Sequence, residues 1–329
     1  MPLSSLFGRM LAGLALLGAL AAVEARAEYP DKPIRVIVPV AAGGSTDLVA
    51  RIMQMTLDRT KGLPQPLVVV NNGAAGGTVG TRMIKDADKD GYTIGIWHMG
   101  LLTAPAMGVV DYDHNAYELV GQIGRIQIGL GVPENSPYKT IQDLVAAAKA
   151  KPDTVTVATN IGLLPHFVPL MFAKDSGIAF RFVQSGGGAV RLKSLLGGHT
   201  EMSLFSVPEF VNFKANGIRP LVVFSEERSP LLPDVPTAKE LGWPTIFEER
   251  ILVLAPKGTP PERLKVLAEA MKTTLDDPDV VERYKAQGID RVFIPGPELQ
   301  KVLDETNVGI KVVAEEVKRA QAEKAKAAQ

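Results

Sequence analysis

The sequence predicts an α/β fold with largely parallel sheets, and three observations carry that expectation. Short β-branched apolar runs alternate with segments of helical periodicity. Small-residue turns link a strand's end to the next helix's start, as in open parallel sheets. The chain has 329 residues, 46% of them hydrophobic, enough core for about two domains.

Taken in order, Ile34–Val38 (IRVIV) reads as a buried parallel strand ending at Pro39 and the turn Ala41-Ala42-Gly43-Gly44-Ser45. A helix follows, with Leu48, Val49, Ile52 and Met53 at helical spacing and Ser45 or Thr46 as N-cap. The unit repeats as strand Leu67–Val70, glycine loop 73–77, helix 78–87 and strand Tyr92–Trp97. A second set opens with the apolar run Ile126–Val132. Thr140 and Asp143 form a capping box for helix Ile141–Ala150, which Lys151-Pro152 stops. Strand Thr154–Ala158, loop Thr159-Asn160-Ile161-Gly162 and a helix from Pro165 come next. Strand Ile178–Val183 leads to Ser185-Gly186-Gly187-Gly188 and helix Ala189–Leu196. Strand Glu201–Phe205, a helix over 208–215 and strand Arg219–Phe224 complete the set, and the Pro-rich 229–236 is loop. Ile251–Ala255 reads as a second crossover strand. Thr259-Pro260-Pro261-Glu262 starts a helix with Thr259 as N-cap, and two more helical stretches close the chain in a charged, Ala-rich tail expected to be solvated.

Composition narrows the functions. Lys plus Arg and Asp plus Glu both number 36, so the balanced charge excludes the basic excess that phosphate binding needs, and nucleic acid is not an expected partner. Zero Cys removes disulfides, thiol nucleophiles and thiolate metal sites, and His98, His114, His166 and His199 show no metal-ligand spacing. No HExxH, GxSxG or GxxxxGK[ST] motif occurs. The weak dinucleotide-like loop 73–80 lacks an assignable acidic ribose partner, so no cofactor and no metal is expected. At the N-terminus, Arg9, the apolar run Met10–Val23 and Ala25-Arg26-Ala27 read as a secretory signal cleaved after Ala27. The apolar run is shorter than the ~20 residues a membrane span needs.

Three small-residue loops, 41–46, 159–164 and 185–188, each follow a strand and open a helix. There free N–H groups and the helix dipole suit an anion. For any one loop, glycines that only make a tight turn are a sufficient reading; three across two α/β sets favour a cleft between lobes. His98, just past a strand's C-terminal end, is a candidate ligand contact. Asp47 reads as a cap or dipole partner, and His166 as a partly exposed helix-start residue.

Several separated motifs, in order, closely resemble the tripartite tricarboxylate transporter solute receptors, also called Bug proteins. They are YPDKPIRVIVPVAAGGSTDLVAR (29–51), VVVNNGAAGGTVG (68–80), DGYTI (90–94), QSGGGAVRLKSLLGGHTEM (184–202), IRPLVVFSEERSPLLPDVPTAKELG (218–242) and LAPKGTPPERL (254–264). The resemblance implies a type II, two-lobe periplasmic binding protein without enzymatic turnover. Lobe 1 would hold residues 28–127 and 252–329, lobe 2 residues 128–251, with two crossover strands between them. It implies capture of a small carboxylate and delivery to the membrane subunits of a tripartite transporter. By this resemblance Ala41, Ala42, Gly43, Gly44, Ser45 and Thr46 hold one carboxylate end from lobe 1, and Thr159, Asn160 and Gly162 act from lobe 2. Ser185 and Gly186 stand where the family places a lobe-two turn.

The chain departs from the family pattern at Val40, where an aromatic is usual, and at Thr159-Asn160-Ile161. The first departure suggests a wider pocket walled by Trp97 and His98, suited to a bulky aromatic acid; the bland reading puts Trp97 in the core and His98 in solvent. Arg82, Arg125, Arg181, Arg191 and Arg250 have no fixed place, and any could reach a second carboxylate. Two other functions stay open at this point: a secreted α/β enzyme using Asp47 with His98 or His166, and a ligand-presenting partner of a membrane sensor kinase.

Overall fold

The computed structural model describes residues 29–327, so the expected signal segment and its cleavage after Ala27 lie outside the described residues. Strand β1 (Ile34–Val38) shows why the first sheet is interior. Ile34, Val36 and Val38 point into one core and Ile37 into another, the two-sided burial that makes a strand read as a continuous apolar run. It pairs in parallel with β2 (Leu67–Asn71) and β3 (Thr93–Trp97). The chain then forms β4 (Tyr117–Ile126) of the same sheet.

At Gln127 the chain passes into a second sheet. Its strands are β5 (Ile128–Pro133), β6 (Thr156–Thr159), β7 (Arg181–Gln184), β8 (Met202–Ser206) and β9 (Ile218–Val223), in the order β7-β6-β8-β5-β9. The return enters β10 (Glu249–Pro256), followed by the short β11 (Ile289–Asp290) and β12 (Ile294–Pro295). The first sheet is ordered β11-β4-β10-β3-β1-β2, with β12 also on β4. Phe247 N–H still bonds Phe224 on the second-sheet side, while Glu249 already pairs with Ile126. The second passage therefore lies at Glu248, beside Gln127, and Ile251–Ala255 is an inner stretch of β10 rather than the crossover itself.

Both sheets are mixed rather than largely parallel. The pairs β6–β7 and β6–β8 are parallel, but β5 runs antiparallel to β8 and β9, and β10 antiparallel to β3 and β4. The strands that carry the chain in and out of each sheet must oppose the βαβ set, and those supply the antiparallel pairs.

Helices Ser45–Thr60 and Pro261–Leu275 cover one face of the first sheet through Val49, Ile52, Met53, Leu267 and Met271. The capping box of helix Ile141–Ala150 forms as expected, Asp143 N–H donating to Thr140 Oγ1 at 3.1 Å and Thr140 N–H to Asp143 Oδ2 at 2.8 Å. Pro260 rather than Thr259 caps Pro261–Leu275; the Thr259 hydroxyl donates back to Pro256 O. The C-terminal helix Gly296–Ala327 is less solvated than its composition suggests, because Leu299, Leu303, Ile310, Ala314 and Val317 are buried. It lies against β4 and also against helix Leu164–Ser176, where Lys174 pairs with Glu316, so one element braces both sheets. No helix among the described residues is long and apolar enough to cross a membrane.

Candidate functional site

The turn after β1 is fixed by Asp47. Its carboxylate accepts from Gly43 N–H at 2.9 Å, Arg51 Nε at 3.1 Å and Asn71 Nδ2 at 2.9 Å. Burial opposes its ionisation, but these three donors prevail and hold the carboxyl below its usual range. Asp47 is thus a loop-fixing residue, and the Gly43 amide is spent inside the protein. The next donors are free: the helix has no side-chain cap, and its first backbone bond, Leu48 N–H to Gly44 O at 2.9 Å, leaves the Gly44, Ser45 and Thr46 amides without protein acceptors among the described residues.

Two more helices start the same way on the same space. Helix Gly188–Leu196 has Gly187 as an uncapped N-cap, and helix Leu164–Ser176 starts from Leu163 with Pro165 in its first turn. All three N-termini line one cavity of about 160 Å³ between the sheets. The helices from Ser45 and Gly188 contribute several unpaired N–H groups and the helix from Leu164 only that of Leu164, since Pro165 has none and His166 N–H bonds Leu163 O; each adds the positive end of its dipole, the arrangement that favours an anion. A larger groove of about 660 Å³, at the end of helix Ser45–Thr60, is lined by Lys265, Glu269, Asp276 and other residues of the first-sheet helices and holds none of these loops.

The mouth of the cavity is shut by contacts between the sheets. Gly187 approaches Ala41, and Gly162 sits against Val109. Gly76, at φ +69°, lies so close to Leu163 that any Cβ there would collide with its Cδ1.

The floor, beside the two chain passages, is built from side chains. Arg191, Glu209 and Glu249 are each more than nine-tenths buried and line the cavity. Arg191 donates through Nε to Ser203 Oγ at 3.1 Å, through Nη1 to Gly186 O at 3.1 Å and through Nη2 to Leu204 O at 3.2 Å. Burial pulls its guanidinium down from its ordinary value, and Glu209 and Glu249 oppose that shift. Glu209 closes the capping box of helix Val207–Phe213, accepting from Ser206 N–H at 2.9 Å through Oε2. Its Oε1 faces Gly188 so closely that a Cβ there would displace the carboxylate. The Glu249 side chain makes no hydrogen bond among the described residues, and its Oε1 lies 3.9 Å from His98 Nδ1. Burial, reinforced by Glu209 and opposed by Arg191, pushes its carboxyl up to about 8.

His98 is on the cavity wall, its ring stacked on Trp97 at a centroid distance of 3.9 Å. Its Nδ1 accepts Gly100 N–H at 2.9 Å, which assigns the ring proton to Nε2. Burial, with Arg191 nearby, pulls His98 down to about 3, so the ring is neutral at ordinary pH.

The residues expected from sequence divide cleanly. Ala41, Ala42, Gly43, Gly44, Ser45, Thr46, His98 and Asn160 line the cavity. Thr159, Gly162, Ser185 and Gly186 do not, for identifiable reasons. Thr159 is fully buried at the end of β6; the Gly162 amide donates to His166 Nδ1 at 3.1 Å; the Ser185 hydroxyl turns back to Val183 O; and the Gly186 carbonyl anchors Arg191. His166 is buried rather than partly exposed. Trp97 is both core and wall, and His98 does not face solvent. The cavity volume is close to the ~150 Å³ space that accommodates a benzene. Of the five unplaced arginines, Arg191 reaches the cavity, while Arg125 and Arg250 pair with Glu248 at the second passage. From the sequence, Arg191 was only one of five arginines without a fixed place, and Glu209 and Glu249 were not chosen as site residues. Only the Ser206-x-x-Glu209 capping spacing gave a local signal.

Comparison with known proteins supplies the remaining observations. A family model described as "Tripartite tricarboxylate transporter family receptor" matches residues 49–318. Protein BugT of Bordetella pertussis is 31% identical over 298 residues, which cover 87% of this chain and 90% of that protein. The structure of the periplasmic binding protein BugD superposes with a TM-score of 0.82 at 27% identity, covering 88% of this chain and 98% of the other. MatC from Rhodopseudomonas palustris, solved with bound malate, gives a TM-score of 0.79 at 25% identity, covering 87% of this chain and all of that one (100%).

Proposed function

Since this chain belongs to the tripartite tricarboxylate transporter receptor family, as a periplasmic solute-binding protein and not an enzyme, we propose that it captures a small organic carboxylate in the cavity between its sheets and delivers it to the membrane subunits of a tripartite transporter. The observation that carries this reading is the convergence of three uncapped helix N-termini on one cavity, with the Gly44, Ser45 and Thr46 amides unpaired. Malate bound to MatC is consistent with a ligand of this class and size.

The magnitudes suffice without a dedicated cation. A hydrogen bond to a charged group contributes roughly 1.5 to 3 kcal/mol, so three amides and one hydroxyl give about 6 to 12. Micromolar binding needs about 8 kcal/mol, after losses to ordering. In this reading the second lobe ends at Glu248 rather than at the expected residue 251, because Glu249–Pro256 pairs within the first sheet; the two lobes close about Gln127 and Glu248, and export removes residues 1–27.

The test is a thermal-shift panel of C3 to C6 carboxylic acids, each beside its neutral primary amide. A bound acid at 100 times its dissociation constant should stabilise the fold by about 2.7 kcal/mol, with no shift from the amides, and be recovered chemically unchanged. Stabilisation by none of the acids overturns the carboxylate assignment. Delivery is tested separately by co-purification of the crosslinked, ligand-loaded protein with polytopic membrane subunits.

A further inference from the structure

We infer that closing the cleft takes up one proton at its floor: the shut cavity holds two carboxyls, Glu249 and Glu209, against the single cation Arg191, and Glu249 receives the proton. The inference rests on the two-lobe receptor reading above and adds to it a conformational device, a lobe closure linked to pH.

The three groups come from both sides of the cleft. Glu249 opens β10 in the first sheet, directly after the second passage, while Arg191 and Glu209 stand on helices Gly188–Leu196 and Val207–Phe213 of the second-sheet side. All three line the cavity and are more than nine-tenths buried in the shut form. Arg191 carries one charge, and its Nε, Nη1 and Nη2 donate to the neutral acceptors Ser203 Oγ, Gly186 O and Leu204 O rather than to either carboxyl. A second buried negative charge would have no counter-charge, which is costly away from water.

Hydrogen bonding decides which acid is neutral. Glu209 Oε2 accepts from Ser206 N–H at 2.9 Å and from the Ser206 hydroxyl at 3.0 Å, donors that suit a carboxylate. The Glu249 side chain has no such donor among the described residues, so nothing offsets its burial. Burial and then Glu209 push its carboxyl up to about 8 against the pull of Arg191, in agreement with that count. Its other neighbours supply no free charge. The His98 ring, 3.9 Å away, is neutral with Nδ1 held by Gly100 N–H, and Arg125 and Arg250, on β4 and β10, are paired with Glu248 and Asp290.

Opening reverses these conditions. Once the contacts of Gly187 with Ala41 and of Gly76 with Leu163 part, water reaches the floor and the Glu249 carboxyl returns towards its ordinary range. By linkage, protonation favours the shut form, and an anion held at the helix starts adds a further negative charge that strengthens the coupling. Affinity for an anionic ligand should therefore fall with rising pH, by up to about tenfold per unit between the ordinary glutamate range and about 8. The proton leaves with the ligand when the lobes part.

The test needs no ligand, because the chain has no Cys and its mouth can be locked. A Cβ on Gly187 would lie 4.0 Å from Ala41 Cβ, within the ~3.5 to 4.5 Å range of a disulfide, so Ala41→Cys with Gly187→Cys closes the cleft when oxidised. With isotope-labelled glutamate carboxyls, NMR titration of the oxidised mature protein should show one glutamate titrating near 8, and Glu249→Gln in the same background should remove it. If Glu249→Gln does not fold, Glu249→Asp removes the same labelled resonance. Reduction should lower that titration by about one unit or more, with small-angle scattering reading a form that is open or opens as the pH rises. No glutamate titrating above about 6 in the locked protein overturns the proposal. So does an unchanged titration in a reduced protein that scattering shows open, and so does a reduced protein that stays as compact as the oxidised one past about pH 9. Failure of the two thiols to oxidise overturns it as well, since the mouth then does not shut. None of these failures touches the carboxylate assignment, which the thermal-shift panel decides alone.

Discussion

At the mouth of the cleft, the donors come from consecutive residues: Gly44, Ser45 and Thr46 follow directly on β1, and Asp47 braces the turn from the first turn of the same helix. At its floor, Arg191, Glu209 and Glu249 come from two helices and the start of β10, and they meet only because the chain passes between sheets at Gln127 and Glu248. The first region works through backbone groups and tolerates any side chain that leaves the amides free. The second works through buried charges, which are costly unless their partners stay in place. On the proposed reading, the first region governs whether an anion binds, and the second ties the cavity to the stability of the fold.

The largest expected effect breaks the floor. Arg191→Met keeps most of the side chain's length but leaves Glu209 and Glu249 without their cation and Gly186 O, Ser203 and Leu204 O without their donor. Removing one partner of a buried charge cluster costs about 3 to 5 kcal/mol. Urea unfolding should register that loss, and adding Glu249→Gln should restore part of it. A loss below about 1 kcal/mol would mean that the cluster is hydrated enough to be indifferent to its cation.

A second prediction uses pH to isolate Glu249. Its folded-state carboxyl is raised to about 8 by burial, so the folded protein keeps a proton that the unfolded chain releases, and stability falls as pH rises from its ordinary range towards 8. His98 and His166, pulled by burial to about 3 and about 4, act with the opposite sign: stability rises with pH from those values up to the usual histidine range near 6.5. Between about 6.5 and 8, only Glu249 of these three titrates, and at about 1.4 kcal/mol per pH unit the loss across that window is about 2 kcal/mol. Glu249→Gln should flatten it. An equally steep decline in the variant would assign the effect to another group.

The same contrast explains what could be read from the sequence. The turn 41–46 and the helix starts at Ser45 and Gly188 were legible because strand, small-residue turn and helix are encoded locally. The floor was not, since no spacing links Arg191 to Glu249. Within the first sheet, β4 and helix Gly100–Ala106 also escaped the periodicity reading. The former is YELVGQIGRI, broken by Gly121 and Gly124, and a Cβ on Gly121 would lie 3.0 Å from Ile294 O, so the glycine answers to a neighbouring strand rather than to local propensity. The latter is seven residues with Pro105 inside, too short and interrupted to show a period. Thr159 and Gly162 were chosen by position in a loop, which does not reveal that one residue is fully buried and the other's amide serves His166.

Turning to the mouth, Gly44→Pro removes one donor with little backbone penalty. Gly44 is extended at φ −82°, close to what proline imposes, and a Cβ there meets nothing nearer than Ala41 O at 3.9 Å. Carboxylate affinity should fall about tenfold, one hydrogen bond to a charged group, with the urea midpoint nearly unchanged. Unaltered affinity would remove the Gly44 amide from the site and leave Ser45 and Thr46 to carry the anion.

The smallest effect is expected at the contact that shuts the cleft. Gly76 adopts φ +69°, where an L-residue costs about 1 to 2 kcal/mol, and a Cβ there collides with Leu163 Cδ1 across the mouth. Gly76→Ala should weaken binding several-fold, because closing around the ligand would require the two loops to stand apart, while the open form is free of the collision. The backbone strain and the collision separate in a double variant: Leu163→Ala relieves only the latter. If Gly76→Ala combined with Leu163→Ala recovers affinity beyond Leu163→Ala alone, or matches it, the mouth contact controls closure. If the double variant binds as weakly as Gly76→Ala, the strain at residue 76 is responsible, and the touching loops are a consequence of closure rather than a constraint on it. Small-angle scattering with and without ligand reads the same question directly, since a protein whose mouth cannot shut should show a smaller ligand-induced drop in radius of gyration than the wild type.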